Sequence, residues 1–353
     1  MTDPSSVRLS EEEARRIFYE LIVPHRLAHR ERQDRPVAMF VAGQPGAGKT
    51  ATTRSLLARL SDRGGAIVVD ADLYKPYHPQ YARLQSENDQ LAAALVSPDS
   101  GRWMRMAQEW LAEHRIDTIT ETTMRDQSHF ALPVETFQRA GYRIEAAIMA
   151  VPEAQSRLGV LNRYDEQVRN AGHGRLTLRD NHDSAYTGVL STAEAIDQQR
   201  LADAVSVYRR GDVLLYANDL TDNGDWRWPP GTRRAIERER ARPWTMQESE
   251  QFAATYHRLA RDLRPELHDE LTDIARVAAP LLNPGVELSR PAVSAEPQRS
   301  DSVAESTRRA LESLDRADAA VQEAVRREPH QDGSEVLDRP VQRLGLDDPE
   351  PSR

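Results

Sequence analysis

A chain of 353 residues allows more than one compact unit. Its 47 basic residues against 56 acidic ones leave a net charge of −9, which argues against general nucleic-acid affinity, a local basic groove aside. The lack of cysteine excludes disulfides, thiol catalysis and cysteine metal sites; no apolar run approaches the ~20 residues of a membrane span, and Met1 to Ser10 lacks the form of a secretory signal, so a cytoplasmic location is expected.

In chain order, Ser10 with Glu13 three residues on has the form of a capping box, and the helix it opens is predicted to run toward Val23. Ile17, Phe18, Leu21 and Ile22 give that helix an apolar side, so residues 1–34 are expected to pack on the body of the protein. The apolar run Val37 to Ala42 has the length of one buried strand. It leads into Gly43-Gln44-Pro45-Gly46-Ala47-Gly48-Lys49-Thr50, which meets the phosphate-loop pattern G-x-x-x-x-G-K-[ST] at every fixed position. Ala51 to Leu60 then reads as a helix with Leu56, Leu57 and Leu60 on one face. Strand, glycine-rich loop and helix in that order gather backbone N–H groups and a helix N-terminus around phosphate. Lys49 is one of only two lysines, the other being Lys75, against 45 arginines (47 basic residues less two). Keeping lysine here implies that its compact ammonium matters, since a guanidinium is a wider planar fork.

The next strand, Ile67 to Val69, ends in Asp70 and Asp72 and continues through Lys75 to His78-Pro79. Ligands of open α/β sheets bind at such strand ends, where one carboxylate can take the proton of an attacking hydroxyl. The plainer reading is that both aspartates cap the following turn. Gly101 to His114 reads as a helix carrying Trp103 and Trp110 on one face as packing residues. A third strand, Thr118 to Thr120, runs into Glu121-Thr122-Thr123-Met124-Arg125. Tyr142 to Val151 is predicted as a fourth strand and Asp212 to Tyr216 as a fifth. Between them lie a helical stretch with Arg157, Arg163 and Arg169 and the basic segment Gly172 to Arg179. An arginine-bearing loop closing over ATP neutralises transition-state charge and excludes water, although solvated arginines are equally ordinary there.

Trp226, Trp228 and Trp244 flank the turn Pro229-Pro230-Gly231, placed to seat the following helices, which are expected from Thr245 to Ala279. A Pro/Ser/Ala linker then leads to an isolated helix at 301–327, whose Val303, Thr307, Ala310, Leu314, Ala317, Val321 and Ala324 form a weak coiled-coil-like seam, and to a disordered tail. The expected fold is α/β: a mostly parallel sheet of the P-loop NTPase type flanked by helices, with a helical C-terminal extension. Its expected pieces are the N-terminal helix (1–34), the core (35–220), the helical extension (221–279) and the linker, helix and tail (280–353).

The order and spacing of these motifs resemble the zeta toxin family of bacterial small-molecule kinases, over roughly Arg35 to Asn218. The resemblance rests on the phosphate loop, Asp70-Ala71-Asp72 with Lys75 and His78-Pro79, Glu121-Thr122-Thr123, Met149-Ala150-Val151-Pro152, Arg163-Tyr164, Arg175 and His182-Asp183. It implies transfer of the ATP γ-phosphate to the 3′-hydroxyl of UDP-N-acetylglucosamine, with Mg²⁺, by a toxin that a cognate antitoxin holds inactive. Carried over by position, Gly43, Gln44, Pro45, Gly46, Ala47, Gly48, Lys49 and Thr50 bind ATP, and Thr50 holds Mg²⁺. Asp72 is the base, Lys49, Arg163 and Arg175 serve the phosphates, and Asp72, His78, Glu121, Thr123 and Arg125 face the acceptor. The family often has glycine where this chain has Thr122, which bears on the acceptor more than on ATP. The residues themselves leave open another hydroxyl acceptor (an antibiotic, a nucleoside or a protein) and a nucleotide-switched scaffold. An antitoxin-docking role for the N-terminal helix is the sharper alternative to packing.

Overall fold

Short apolar runs separated by amphipathic helices bury themselves most economically as one sheet with helices against both faces. The computed structural model describes residues 7–288 and shows this arrangement. Six strands, β1 (Val37–Ala42), β2 (Ile67–Val69), β3 (Thr118–Thr122), β4 (Arg143–Met149), β5 (Ala204–Arg209) and β6 (Val213–Asp219), form one sheet in the order β2-β3-β1-β4-β5-β6. All neighbours are parallel except β5 and β6.

The sequence reading has five strands, and β5 is the one it lacks. Ala204-Val-Ser-Val-Tyr-Arg209 alternates, burying only Val205 and Val207, so it offers no continuous apolar run. Its turn into β6 passes through Gly211 and Asp212, both with left-handed backbone (φ +87° and +65°), which reverses the chain and makes β6 an antiparallel edge.

β1 is buried along its whole length and serves both faces. Ala38, Phe40 and Ala42 point to one core, and Val37, Met39 and Val41 to the other, as a period of two requires. On the first face Phe40 meets Phe130 and Phe137 of α6 (Ser128–Arg139) edge-on. The second face is covered by Leu56 and Leu60 of α2 (Lys49–Leu60).

The N-terminal helix α1 (Glu11–Ile17) opens with the Ser10 hydroxyl accepting the Glu13 N–H. From Phe18 to Leu27 it widens into a π-helix that contains Pro24, whose missing N–H breaks the usual ladder. Ile17, Phe18, Ile22 and Leu27 are buried in the first core, whereas Leu21 is exposed. After α3 (Tyr81–Glu87) and α4 (Asp89–Leu95), the Trp103 indole of α5 (Ser97–His114) donates to the Ala14 carbonyl at 2.8 Å and is fully buried. Trp110 is only half buried and stacks on His114.

The chain after β4 forms α7 (Glu153–Ala171) and α8 (Arg179–Gln199), and after β6 come α9 (Thr232–Arg240), α10 (Met246–Asp262) and α11 (His268–Ala278). The last two pack on α7, joining Ala154, Leu158 and Leu161 to Phe252, Tyr256, Leu271 and Ile274 in a separate core. Trp244 is buried against Phe252, Trp226 donates to the Asp197 carbonyl, and Trp228 lies exposed. Beyond α11 the chain stays attached, since Trp244 N–H donates to Leu281 and Asn283 N–H to Ser249. The helix expected at 301–327 and its seam lie outside the described residues. Among the described residues no helix is long and apolar enough to cross a membrane.

Arg157 of α7 ties the extension to the sheet domain. Its guanidinium is 2% exposed and pairs with Glu153, Glu270 and Asp273 at 2.8 to 2.9 Å. Removing such a cation strands carboxylates that the fold has partly dehydrated. We expect Arg157→Met to lose about 2–3 kcal/mol in urea unfolding, less than the ~3–5 kcal/mol of a fully buried partner because these carboxylates keep some water. An unchanged midpoint would show that α11 is held by its apolar contacts alone.

Candidate active site

The C-terminal ends of β1, β2 and β3 lie side by side, because β3 sits between the other two and all three run the same way. Each end carries a polar segment: the phosphate loop, Asp70 to Lys75, and Glu121 to Arg125. Topology thus assembles what the sequence spreads over some eighty positions.

The loop is shaped by left-handed glycines, Gly46 (φ +75°) and Gly48 (φ +83°), the latter capping α2 just before Lys49. A Cβ on Gly46 would overlap the Ser156 carbonyl and lie 2.8 Å from the Val160 nitrogen, and one on Gly159 would lie 2.6 Å from the Gly46 carbonyl. Helix α7 therefore backs the loop directly. Gln44 does not face the loop mouth. It is fully buried and donates to the Val151 carbonyl at 2.8 Å and the Ser156 hydroxyl at 3.1 Å, anchoring the loop from behind. The Ser156 hydroxyl also lies 2.8 Å from His182 Nε2. Ala47 is buried against Met149 and Val151, Pro45 is half buried, and Thr50 is exposed in the first turn of α2. Lys49 Nζ donates to the Gly43 carbonyl at 3.0 Å, across the loop.

Asp70 and Asp72 stand at the end of β2, with Asp70 Oδ1 accepting the Asp72 N–H at 2.9 Å. The Asp72 carboxylate is held from both sides: Oδ1 by Lys75 Nζ at 2.8 Å, Oδ2 by Arg175. Glu121 accepts from Thr53 of α2 at 2.6 Å and acts electrostatically on Lys49. Arg163 Nη2 donates to Thr177 at 3.0 Å, while its Nε is buried without a partner. The segment carrying Arg175 is seated on α7: Gly174 packs where a Cβ would be 2.7 Å from the Tyr164 carbonyl, and the Arg175 N–H bonds Gln167.

Thr123 is half buried on the β3 loop, and the Thr122 hydroxyl accepts the Met124 N–H at 3.2 Å. Arg125 Nε lies 3.0 Å from His129 Nε2 in the first turn of α6. His78 points elsewhere. Its ring is buried, with Nε2 3.1 Å from the Val7 carbonyl and 3.4 Å from Asp99, so it pins the Lys75 turn to the body rather than lining the cleft. Two residues without a site role in the sequence reading join the site. Lys75 was visible there as the second of two lysines. Arg210, at the end of the unassigned β5, donates to the Gly46 carbonyl and to that of Gln155 at 3.1 Å.

The electrostatics follow from crowding charge in a partly dry cleft. Burial, joined by the Arg175 charge, lowers Arg163 to about 10. Burial likewise lowers Lys49, against the opposing pull of Glu121 and Asp70. For Asp72, burial pushes upward, but the charges of Lys75 and Arg175 outweigh it and hold the carboxyl well below the ordinary range. Asp70 has no such clamp; burial and the Asp72 charge raise it to about 6. Its folded value thus exceeds its ordinary 3.8, so its contribution to stability is complete below about pH 4 and is lost as pH rises through 6. We expect Asp70→Asn to be more stable than wild type at pH 8 by about 1–2 kcal/mol, with the gap closing toward pH 4 in urea unfolding. A gap independent of pH would remove Asp70 as its source.

A family model described as Zeta toxin matches residues 25–221, more than half of the chain. Toxin PezT of Streptococcus pneumoniae serotype 4 is 24% identical over 182 residues, covering 51% of this chain and 71% of that toxin. Toxin zeta of Enterococcus hirae is 28% identical over 187 residues, 52% of this chain and 64% of its own length, so the chain spans less than two thirds of that relative. A solved structure from the PezAT chromosomal toxin–antitoxin system of Streptococcus pneumoniae matches with a TM-score of 0.61 at 18% identity, over 76% of this chain and 99% of that one, a likeness of fold. Sheet order, phosphate loop and family match agree: the chain belongs to the zeta toxin family and has its kinase-like phosphate-loop fold.

Proposed function

We propose that this protein transfers the γ-phosphate of ATP to a small-molecule hydroxyl, the 3′-hydroxyl of UDP-N-acetylglucosamine, and so acts as the toxin of a toxin–antitoxin pair. The observation that carries the reading is the Asp72 carboxylate between two cations, beside a glycine cradle and two more cations, Lys49 and Arg163. Arg163, lowered by burial and by the Arg175 charge and carrying a buried Nε without a partner, marks a site suited to a polyanion.

In this reading the N–H groups around Gly46 and Gly48 hold the β-phosphate, and Lys49, Arg163 and Arg175 hold the γ-phosphate. Among the described residues no group of three His, Asp or Glu side chains could hold a metal unaided. The Thr50 hydroxyl, exposed in the first turn of α2, would hold a magnesium ion, which would supply further charge neutralisation. Asp72 orients the acceptor hydroxyl. As the new O–P bond forms, the bond from the γ-phosphorus to its bridging oxygen breaks, the electron pair leaves with ADP, and Asp72 receives the hydroxyl proton. The transition state of such transfers is loose, so alignment counts for more than base strength, and a carboxylate of low basicity suffices. Glu121, Thr123 and Arg125 stand on the acceptor side. The Thr122 hydroxyl accepts the Met124 N–H, which turns the polar end of that side chain onto its own loop. An antitoxin partner is proposed from the family and from the PezAT neighbour, itself part of a toxin–antitoxin system.

The test is incubation with Mg-ATP and UDP-N-acetylglucosamine, read by mass spectrometry. Wild type is expected to yield a phosphorylated sugar nucleotide, Asp72→Asn to be slower by about 10²–10⁴, and Lys49→Ala to be inactive. ATP turnover on another hydroxyl compound alone would overturn the acceptor and keep the kinase. Induced expression in a bacterial host without a partner protein should arrest growth for wild type and not for Lys49→Ala.

Gly46 offers a separate check. A methyl there meets the Ser156 carbonyl of α7 and a left-handed backbone, so Gly46→Ala is expected to bind ATP at least ten-fold more weakly in calorimetry while remaining folded. Wild-type affinity would show that the loop can shift off α7 at little cost.

A further inference from the structure

We infer that Lys75 is a positioning residue for the reaction: its ammonium fixes the orientation in which the Asp72 carboxylate meets the acceptor hydroxyl. The inference rests on the kinase reading above and extends it to a residue that the reading leaves without a role.

Lys75 opens a short 3₁₀ turn, Lys75–Tyr77, immediately after the one formed by Ala71–Leu73. Its side chain is 9% exposed, and Nζ lies 2.8 Å from Asp72 Oδ1. The turn is not free to move. The Lys75 carbonyl accepts the His78 N–H, the His78 ring is fixed to the Val7 carbonyl beside Asp99, and Tyr74 is buried. Burying an ammonium costs several kcal/mol unless it is paired, so Lys75 and Asp72 depend on each other.

The other cation on Asp72 has a competing task. Arg175 comes from the segment between α7 and α8 and is assigned to the phosphates. When it turns to them, Oδ2 is released toward the acceptor hydroxyl, and Lys75 remains on Oδ1. The choice of side chain fits this division. A lysine head is a compact point charge able to hold one oxygen, whereas a guanidinium presents a fork that tends to take both. In a chain with 45 arginines (47 basic residues less two lysines), lysine is used at this position and at Lys49, and nowhere else.

The charged and titratable groups acting on Asp72 are Lys75 and Asp70 from its own segment, Lys49 from α2, Tyr81 from the helix after the turn, Arg163 from α7, and Arg175. Burial opposes ionisation of Asp72, and Lys75 is the largest of the charges that favour it.

The experiment uses full-length protein, Lys75→Met and Lys75→Arg. The Asp72 carboxyl is followed by ¹³C NMR with labelled aspartate, its signal identified by loss in Asp72→Asn, while kcat and ATP affinity are measured in parallel. We expect Asp72 to stay ionised down to about pH 4 in wild type, and its titration midpoint to rise by at least about one pH unit in Lys75→Met, consistent with loss of a close opposite charge. In that variant kcat should fall at least ten-fold with ATP affinity within two-fold. Lys75→Arg should keep the low midpoint and still lose at least five-fold in kcat, because charge is retained and geometry is not.

A midpoint unmoved in Lys75→Met would overturn the inference and make the residue a packing element. Wild-type kcat in Lys75→Arg would overturn the claim that the compact head matters; this variant carries the test if Lys75→Met fails to fold. The titration needs no acceptor. A shifted midpoint in a protein that phosphorylates nothing would therefore sink the kinase reading while leaving the Lys75–Asp72 coupling established.

Discussion

A carboxylate can remain ionised in a cleft that removes most of its water only if cations replace that water. Asp72 meets this condition with Lys75 on one oxygen and Arg175 on the other, and much of the site follows from it. Asp70, two residues away and without a clamp, bears the cost as a raised pKa of about 6. Arg163, buried and facing Arg175, bears it as a lowered one. Under the proposed kinase reading, phosphate relieves this crowding of charge. A polyanion in the loop then offers Lys49, Arg163 and Arg175 a further partner and draws Arg175 off one Asp72 oxygen. Binding energy from the phosphates is in this way directed to the reacting end of the cleft.

Helix α7 converts that local demand into a global one. Its second turn, at Ser156 and Gly159, presses on the phosphate loop through Gly46. Arg157 on the neighbouring face holds the C-terminal extension. Further along, Arg163 enters the cleft, and Tyr164 receives Gly174 beside Arg175. One helix therefore sets the spacing between the loop that holds phosphate and the segment that bears the second arginine. The extension α10–α11 packs on the same helix, so its apolar core braces the site without contributing a residue to it.

The parts legible in the sequence were those dictated by local chemistry. A fully buried central strand must be apolar, and a phosphate cradle needs glycine where φ is positive; both left unmistakable marks between Val37 and Thr50. What escaped depended on partners distant in sequence. β5 shows its inward residues only at alternate positions, and its ordering comes from pairing with β4. His78 was read as facing the acceptor because it follows the strand-end aspartates, but a 3₁₀ turn rotates it into the body, where Val7 and Asp99 await it from other elements. Gln44, inside the loop motif, likewise turns inward, because Val151 and Ser156 offer it polar partners behind the loop. Position within a motif therefore did not settle side-chain direction.

Lys75 shows the opposite case, a functional signal carried by composition rather than motif. Where a chain has replaced lysine by arginine almost throughout, solubility and surface charge are served equally well by either residue, so a surviving lysine marks a place where the two differ physically. The difference lies in head size, in the number of acceptors demanded and in the ease of burial. Both survivors sit in the same cleft, one donating across the phosphate loop and one clamping the carboxylate opposite. Arginine, by contrast, occupies positions where a planar fork has several acceptors to span: Arg157 among three carboxylates, Arg242 between Glu239 and Glu248, Arg210 across two carbonyls. The division follows acceptor geometry, and under the proposed kinase reading Asp72 calls for one cation that stays and another that can leave.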